Sequence, residues 1–168
     1  MIAQADIKES FKTFLSAYPS SSRVWIYQSS RVLDDTEASK LEEEAKSFAT
    51  QWAAHGKALD ATARVVFNRF LILVVNDTVE NPSGCSIDSS VHFVQELQKK
   101  YDTDFFDRLT MTLHHDANFT TMPLIRLKQA IAERSMPGDA LLFDNTVVTL
   151  GDLRSRWVVP AYDSWVVK

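Results

Sequence analysis

The residues that gather the most chemistry stand in one run, Ser83-Gly84-Cys85-Ser86-Ile87-Asp88-Ser89-Ser90. Apolar residues recur at helical spacing from this point on, so the run is expected to open a helix. The first amides of a helix lack partners and carry positive potential, which suits a bound anion and lowers the pKa of a nearby thiol. Gly84, Ser86, Ser89 and Ser90 would then be donors to a small anionic ligand, with Arg64 and Arg69 reaching it from a neighbouring hairpin. The bland alternative uses the same residues: Ser83 or Ser86 as a cap, Gly84 as a turn and Cys85 as a small buried hydrophobe. Arg64 and Arg69 would then be solvated strand and turn residues.

Covalent chemistry is the second route. A nucleophilic Cys85 needs a base within hydrogen-bond reach, and the histidines stand at positions 55, 92, 114 and 115. His55 lies just before Gly56, at the expected end of a helix, where the negative terminus favours an imidazolium able to pair with a thiolate. With Asp88 orienting the pair, this set would make a cysteine-dependent hydrolase or acyltransferase. Against it, histidine is an ordinary residue for the last turn of a surface helix. His92 reads as a helix flank. His114, His115 and Asp116 carry metal-binding atoms, but consecutive residues of a strand face opposite ways, so no metal site is expected. No cofactor is expected either.

These side chains need a frame, and the spacing of apolar residues supplies one. A helix is expected over residues 4–17 and a strand over 23–29. A second helix covers 36–55, with Asp34 and Glu37 as a capping pair and Gly56 as its stop. Strands at 59–67 and 70–75 turn at Asn68 and Arg69, a helix runs over 85–100, and a strand covers 109–113. Strand, helix, strand, strand, helix, strand is the order of the ferredoxin-like split βαβ unit. The expected fold is therefore α+β, a single domain with its core at 23–113 and an extension at 119–168. That extension holds a helix over 123–134 led by Thr120 and Thr121, a hairpin at 141–150 turning at Asp144 and Asn145, and a short helix to Trp157. The tail should pack back, because an exposed Trp165 and Tyr162 would leave a sticky patch.

Composition narrows the classes. The chain has 168 residues, 18 basic and 22 acidic, for a net charge of −4. That balance disfavours nucleic acid as the main partner, since phosphate binding needs a clustered positive surface. No apolar run is long enough for a membrane span, and the first eighteen residues contain no signal-peptide core. One cysteine forms no intramolecular bridge, and a reducing cytoplasm fits best. Nucleotide motifs fail by inspection. At the one Gly-Lys pair, Gly56-Lys57, a P-loop would require Gly where Gln51 stands and Ser or Thr where Ala58 stands. Four isolated glycines cannot make a dinucleotide fingerprint. Exposed strand edges leave room for a homodimer.

The blocks Val24-Trp25-Ile26-Tyr27-Gln28-Ser29, Trp52-Ala53-Ala54-His55-Gly56, Asn68-Arg69-Phe70, Gly84-Cys85-Ser86-Ile87-Asp88 and Phe106-Asp107-Arg108 resemble a family of small bacterial proteins, many of which carry the label "ABC transporter ATPase". The resemblance spans most of the chain and brings no catalytic residues to carry over. Its label conflicts with the residues, because a transporter ATPase needs a P-loop, a signature motif and a longer chain. The expected function is therefore a non-catalytic small-molecule, anion-binding or regulatory protein, with the thiol enzyme as the alternative.

Overall fold

The computed structural model describes residues 4–168, which divide into two compact units. The first comprises Ala17–Asp107 and Val148–Gly151; the second comprises residues 4–16, Arg108–Val147 and Asp152–Lys168. The expectation of a single domain did not anticipate this division. Each unit has a hydrophobic core of its own, and the overall class is α+β with antiparallel sheets.

In the first unit, β1 (Arg23–Gln28), β4 (Asp60–Val66) and β5 (Phe70–Asn76) form a sheet in the order β1-β5-β4, both pairs antiparallel. Six consecutive apolar residues, Phe70 to Val75, are buried on both faces of β5, which is why this central strand reads as an unbroken apolar run. Two helices, α2 (Asp35–Gln51) and α3 (Gly84–Tyr101), supply apolar stripes to the core. The start of α2 is the expected capping box: Asp34 accepts from the Glu37 amide at 2.7 Å, and Glu37 accepts from the Asp34 amide at 3.0 Å. Arg31 grips Glu37 with two nitrogens, at 2.7 and 2.9 Å, and donates to the Tyr101 carbonyl. This guanidinium and the Asp34 amide hold the Glu37 carboxyl well below the usual range, at about 2.

Two local features of this unit depart from expectation. Helix α2 ends at Gln51, capped by Trp52, four residues short of the expected His55. Residues 53–58 instead fold back as a short hairpin, β2 (Ala53–Ala54) and β3 (Lys57–Ala58). His55 and Gly56 form its two-residue turn at φ of 51° and 75°, so the glycine closes a hairpin and does not stop a helix. The β4–β5 turn similarly places Phe67 and Asn68 at positive φ, with Arg69 third, in place of the expected Asn68-Arg69 pair.

The expected fourth strand of the split βαβ order does form, as β6 (Thr110–His115), but it belongs to the other unit's sheet. The edge of β1 is met instead by residues of the same unit from far along the chain. Val24 donates to the Val148 carbonyl at 3.0 Å, and Arg23 bridges to Thr149. The ferredoxin-like order thus stops after three strands.

The second unit's sheet runs β7-β6-β8-β9, with β7 at Asn118–Pro123, β8 at Leu141–Phe143 and β9 at Val158–Pro160. Residues 118–123, expected to lead into a helix, pair with all of β6, because Phe119 and Met122 find places along the sheet. The helix α4 then covers Leu124–Ala132. No hairpin forms over 141–150: β8 lies between β6 and β9. The N-terminal helix is shorter than expected, α1 at Gln4–Ser10, and a last helix, α5, covers Leu150–Arg156. The tail packs back as expected. Val166 is buried, Trp165 and Tyr162 lie on the core, and the Tyr162 hydroxyl donates to the Met136 carbonyl at 2.9 Å. Among the described residues no helix is long and apolar enough to cross a membrane.

Candidate functional site

Helix α3 opens within the predicted run, with Ser83 as N-cap: its hydroxyl oxygen accepts from the Ser86 amide at 3.1 Å. The amides of Gly84 and Cys85, in the first turn, have no intrahelical acceptor. The hydroxyls, however, are turned back on the helix. Ser86 donates to the Ser83 carbonyl at 2.8 Å, Ser89 to the Cys85 carbonyl at 3.0 Å and Ser90 to the Ile87 carbonyl at 2.6 Å. Ser86 and Ser90 also occupy the buried stripe that continues through Val94, Leu97 and Tyr101. The small serines suit the close approach of Trp52, whose indole N–H donates to the Ser86 carbonyl at 2.7 Å. Gly84 has ordinary helical backbone and open space where a Cβ would stand, so no close approach requires a glycine there.

Cys85 is exposed, not a buried hydrophobe. Asp88 is exposed on the same helix. His55 is exposed at the tip of the β2–β3 hairpin, not at a helix terminus, so the dipole argument for its charge does not apply. Among the described residues, Cys85 shares no hydrogen bond with His55 or Asp88.

The two arginines part from the helix start and from each other. Arg64, midway along β4, donates to the Ala63 carbonyl at 2.8 Å and to Thr62 Oγ1 at 3.1 Å. Arg69 lies at the end of the sheet where β5 begins. Its carbonyl accepts from the Ser29 amide at 2.7 Å, and Ser29 Oγ meets Thr103 Oγ1 at 2.7 Å, just beyond the C-terminus of α3. The eighteen residues of α3 span about 27 Å at 1.5 Å per residue. Arg69 therefore sits at the opposite end of this helix from Gly84, and the predicted ligand set does not converge.

Arg69 nevertheless stands out. The residue is 7% exposed, and among the described residues no salt bridge to its guanidinium is formed. Burial pushes its pKa below the usual arginine value. A guanidinium carries five donors and cannot shed its charge at ordinary pH, so a partly desolvated one without a counter-charge favours a bound anion. Sequence could name this residue but not its isolation, since burial of a turn residue depends on what folds over it.

The second unit holds two features that sequence reasoning passed over. His114 is fully buried, with neither ring nitrogen meeting a partner, and its ring meets Phe119 edge-on at 4.9 Å. Burial first, and the neighbouring His115 second, lower its pKa. His115 faces the other side of the sheet, as alternation requires, and its Nδ1 stands 3.1 Å from Asp139 Oδ1. On that side a groove of about 490 Å³ has Leu113, Met122, Met136 and Ala140 among its walls and His115 and Asp116 at its polar end. Methionine-rich lining and a β6–β7 turn with Asp116 and Ala117 both at positive φ carry little sequence signal, because Asp116 suits such a turn but Ala117 is not a usual partner for it.

Comparison with family models, with curated proteins and with solved structures returned no match.

Proposed function

We propose that the protein is a non-catalytic binding or regulatory protein whose ligand is a small anion, and that Arg69 is its principal recognition residue. The Arg69 guanidinium, partly desolvated and with no salt bridge among the described residues, carries this reading. An oxyanion or carboxylate at Arg69 would accept two parallel N–H bonds and repay the desolvation of the cation. The anionic chemistry expected from the sequence is kept, while its centre moves from the start of α3 to the β4–β5 turn. Gly84, Ser86, Ser89 and Ser90 have a capping role in this reading, and Arg64 a role in the sheet. The kinship with the small bacterial family and a cytoplasmic setting are parts of the same proposal.

Thermal unfolding in inorganic phosphate, sulfate and citrate tests it. A ligand that binds only the folded state at about 100 times its Kd adds roughly 2.7 kcal/mol of stability, so the melting temperature should rise with at least one anion. The rise should vanish in Arg69→Gln and persist in Ser86→Ala/Ser89→Ala. Sensitivity of the serine variant alone would return the site to the helix start, and indifference to all three anions would overturn the reading.

A thiol enzyme is the second reading, favoured by the exposure of Cys85. Alkylation by iodoacetamide should then run faster than that of an ordinary exposed thiol and slow in His55→Ala. An ordinary rate, unchanged in the variant, would remove Cys85 and His55 from consideration as a pair.

A further inference from the structure

The groove of the second unit is independent of Arg69, and its chemistry differs. Its volume of about 490 Å³ lies within the range of roughly 300–1,000 Å³ typical of small-molecule sites. Leu113 and Ala140 are buried walls, and Met122 and Met136 are half-buried. Methionines adapt their shape to an apolar body without a large cost in packing. The rim is unequal in charge: no lysine or arginine lines the groove, Asp116 lies at its polar end, and Asp139 stands beside His115.

We propose that this groove binds a small organic amine, its apolar body against Met122 and Met136 and its ammonium group at Asp116. A carboxylate of the same skeleton would meet like charge at the polar end, and an alcohol would forgo the charge-assisted hydrogen bond.

Three probes of one skeleton separate these cases: phenethylamine, 3-phenylpropionate and 2-phenylethanol, each titrated into the isotope-labelled full chain while amide resonances are followed. Phenethylamine should shift the amides of residues 113–122 and 135–140 at lower concentration than the other two. Asp116→Asn removes the charge-assisted hydrogen bond, so it should weaken the amine roughly tenfold or more and leave the alcohol unchanged. Asparagine tolerates the left-handed backbone of position 116, where φ is 49°, so this variant keeps the turn. Thr120→Arg, at an exposed groove residue, should abolish amine binding by placing a cation over the site. Equal or tighter binding of 3-phenylpropionate, shifts centred elsewhere, or no shifts with any probe would each overturn the proposal.

Discussion

Trp52→Ala is expected to lower the stability of the first unit by about 3–5 kcal/mol, the cost typical of removing a large aromatic from a core. The indole is 3% exposed and meets Trp25 at 5.6 Å and Phe48 at 5.3 Å, while Phe48 stacks on Phe93 at 4.4 Å. Its removal therefore opens the contact between the end of α2 and the start of α3. It also deletes the bond from the indole N–H to the Ser86 carbonyl. Trp52→Phe helps to separate the two contributions, since it keeps most of the ring area and loses the donor. That variant should cost about 1 kcal/mol, the usual net worth of one hydrogen bond. Urea unfolding followed by tryptophan fluorescence and by circular dichroism measures both. A Trp52→Ala loss no larger than that of Trp52→Phe would mean that the cluster closes over the gap and that packing at this position matters little.

The second large effect is a pH dependence centred on His114. The folded state disfavours the charged ring, because neither nitrogen has a partner and the ring lies between Phe119 of β7 and Leu141 of β8 in the sheet register. No charged residue stands opposite it in either neighbouring strand; the nearest charge is that of His115, on the other face. In the unfolded chain the imidazole titrates near its ordinary value of 6.5. Between that value and the lower folded one, the unfolded state binds the extra proton, so stability rises with pH and is lost as pH falls below about 6.5. Urea midpoints of the parent and of His114→Leu should run parallel above pH 7 and diverge below pH 6, the variant holding its midpoint while the parent declines. His115→Gln serves as the control, since its ring lies on the other face of the sheet, with Nδ1 3.1 Å from Asp139 Oδ1. Parallel curves for the parent and His114→Leu down to pH 5 would show that the buried ring is not the source of acid sensitivity.

What the sequence made legible follows from the range of the forces involved. The capping box at Asp34 and Glu37, the apolar face of α2 and the continuous apolar strand at 70–75 are local or periodic signals, and each is present in the structure. Errors occur where a competing local solution exists. His55-Gly56 suits a helix end in isolation, yet two small alanines before it allow a hairpin turn with both residues at positive φ. Strand β6 was found as an element but not assigned to its sheet, because pairing partners are a long-range choice that periodicity does not encode. The candidate site fared worse for the same reason. Ser86 and Ser90 look like surface donors until the closest approach of Trp52 fixes which side of α3 faces inward. Arg69 and His114 gain their interest from missing partners, and a missing partner has no sequence signature.

The strand-edge contact between Val24 and Val148 bears on how the chain acquires its structure during synthesis. Residues 23–107 leave the ribosome with the β1-β5-β4 sheet ready to pair, but the segment that meets β1 follows more than forty residues later, at Val148 and Thr149. Until then the Val24 amide has no strand beside it, and an unpaired strand edge is a template for another chain. A truncated product ending near residue 113, which contains every element of the apparent split βαβ core, would keep that edge open permanently. Nascent chains are thus most vulnerable to intermolecular pairing in the interval between completing β5 and releasing residue 149, and the last fifth of the sequence acts as an intramolecular guard for the first strand.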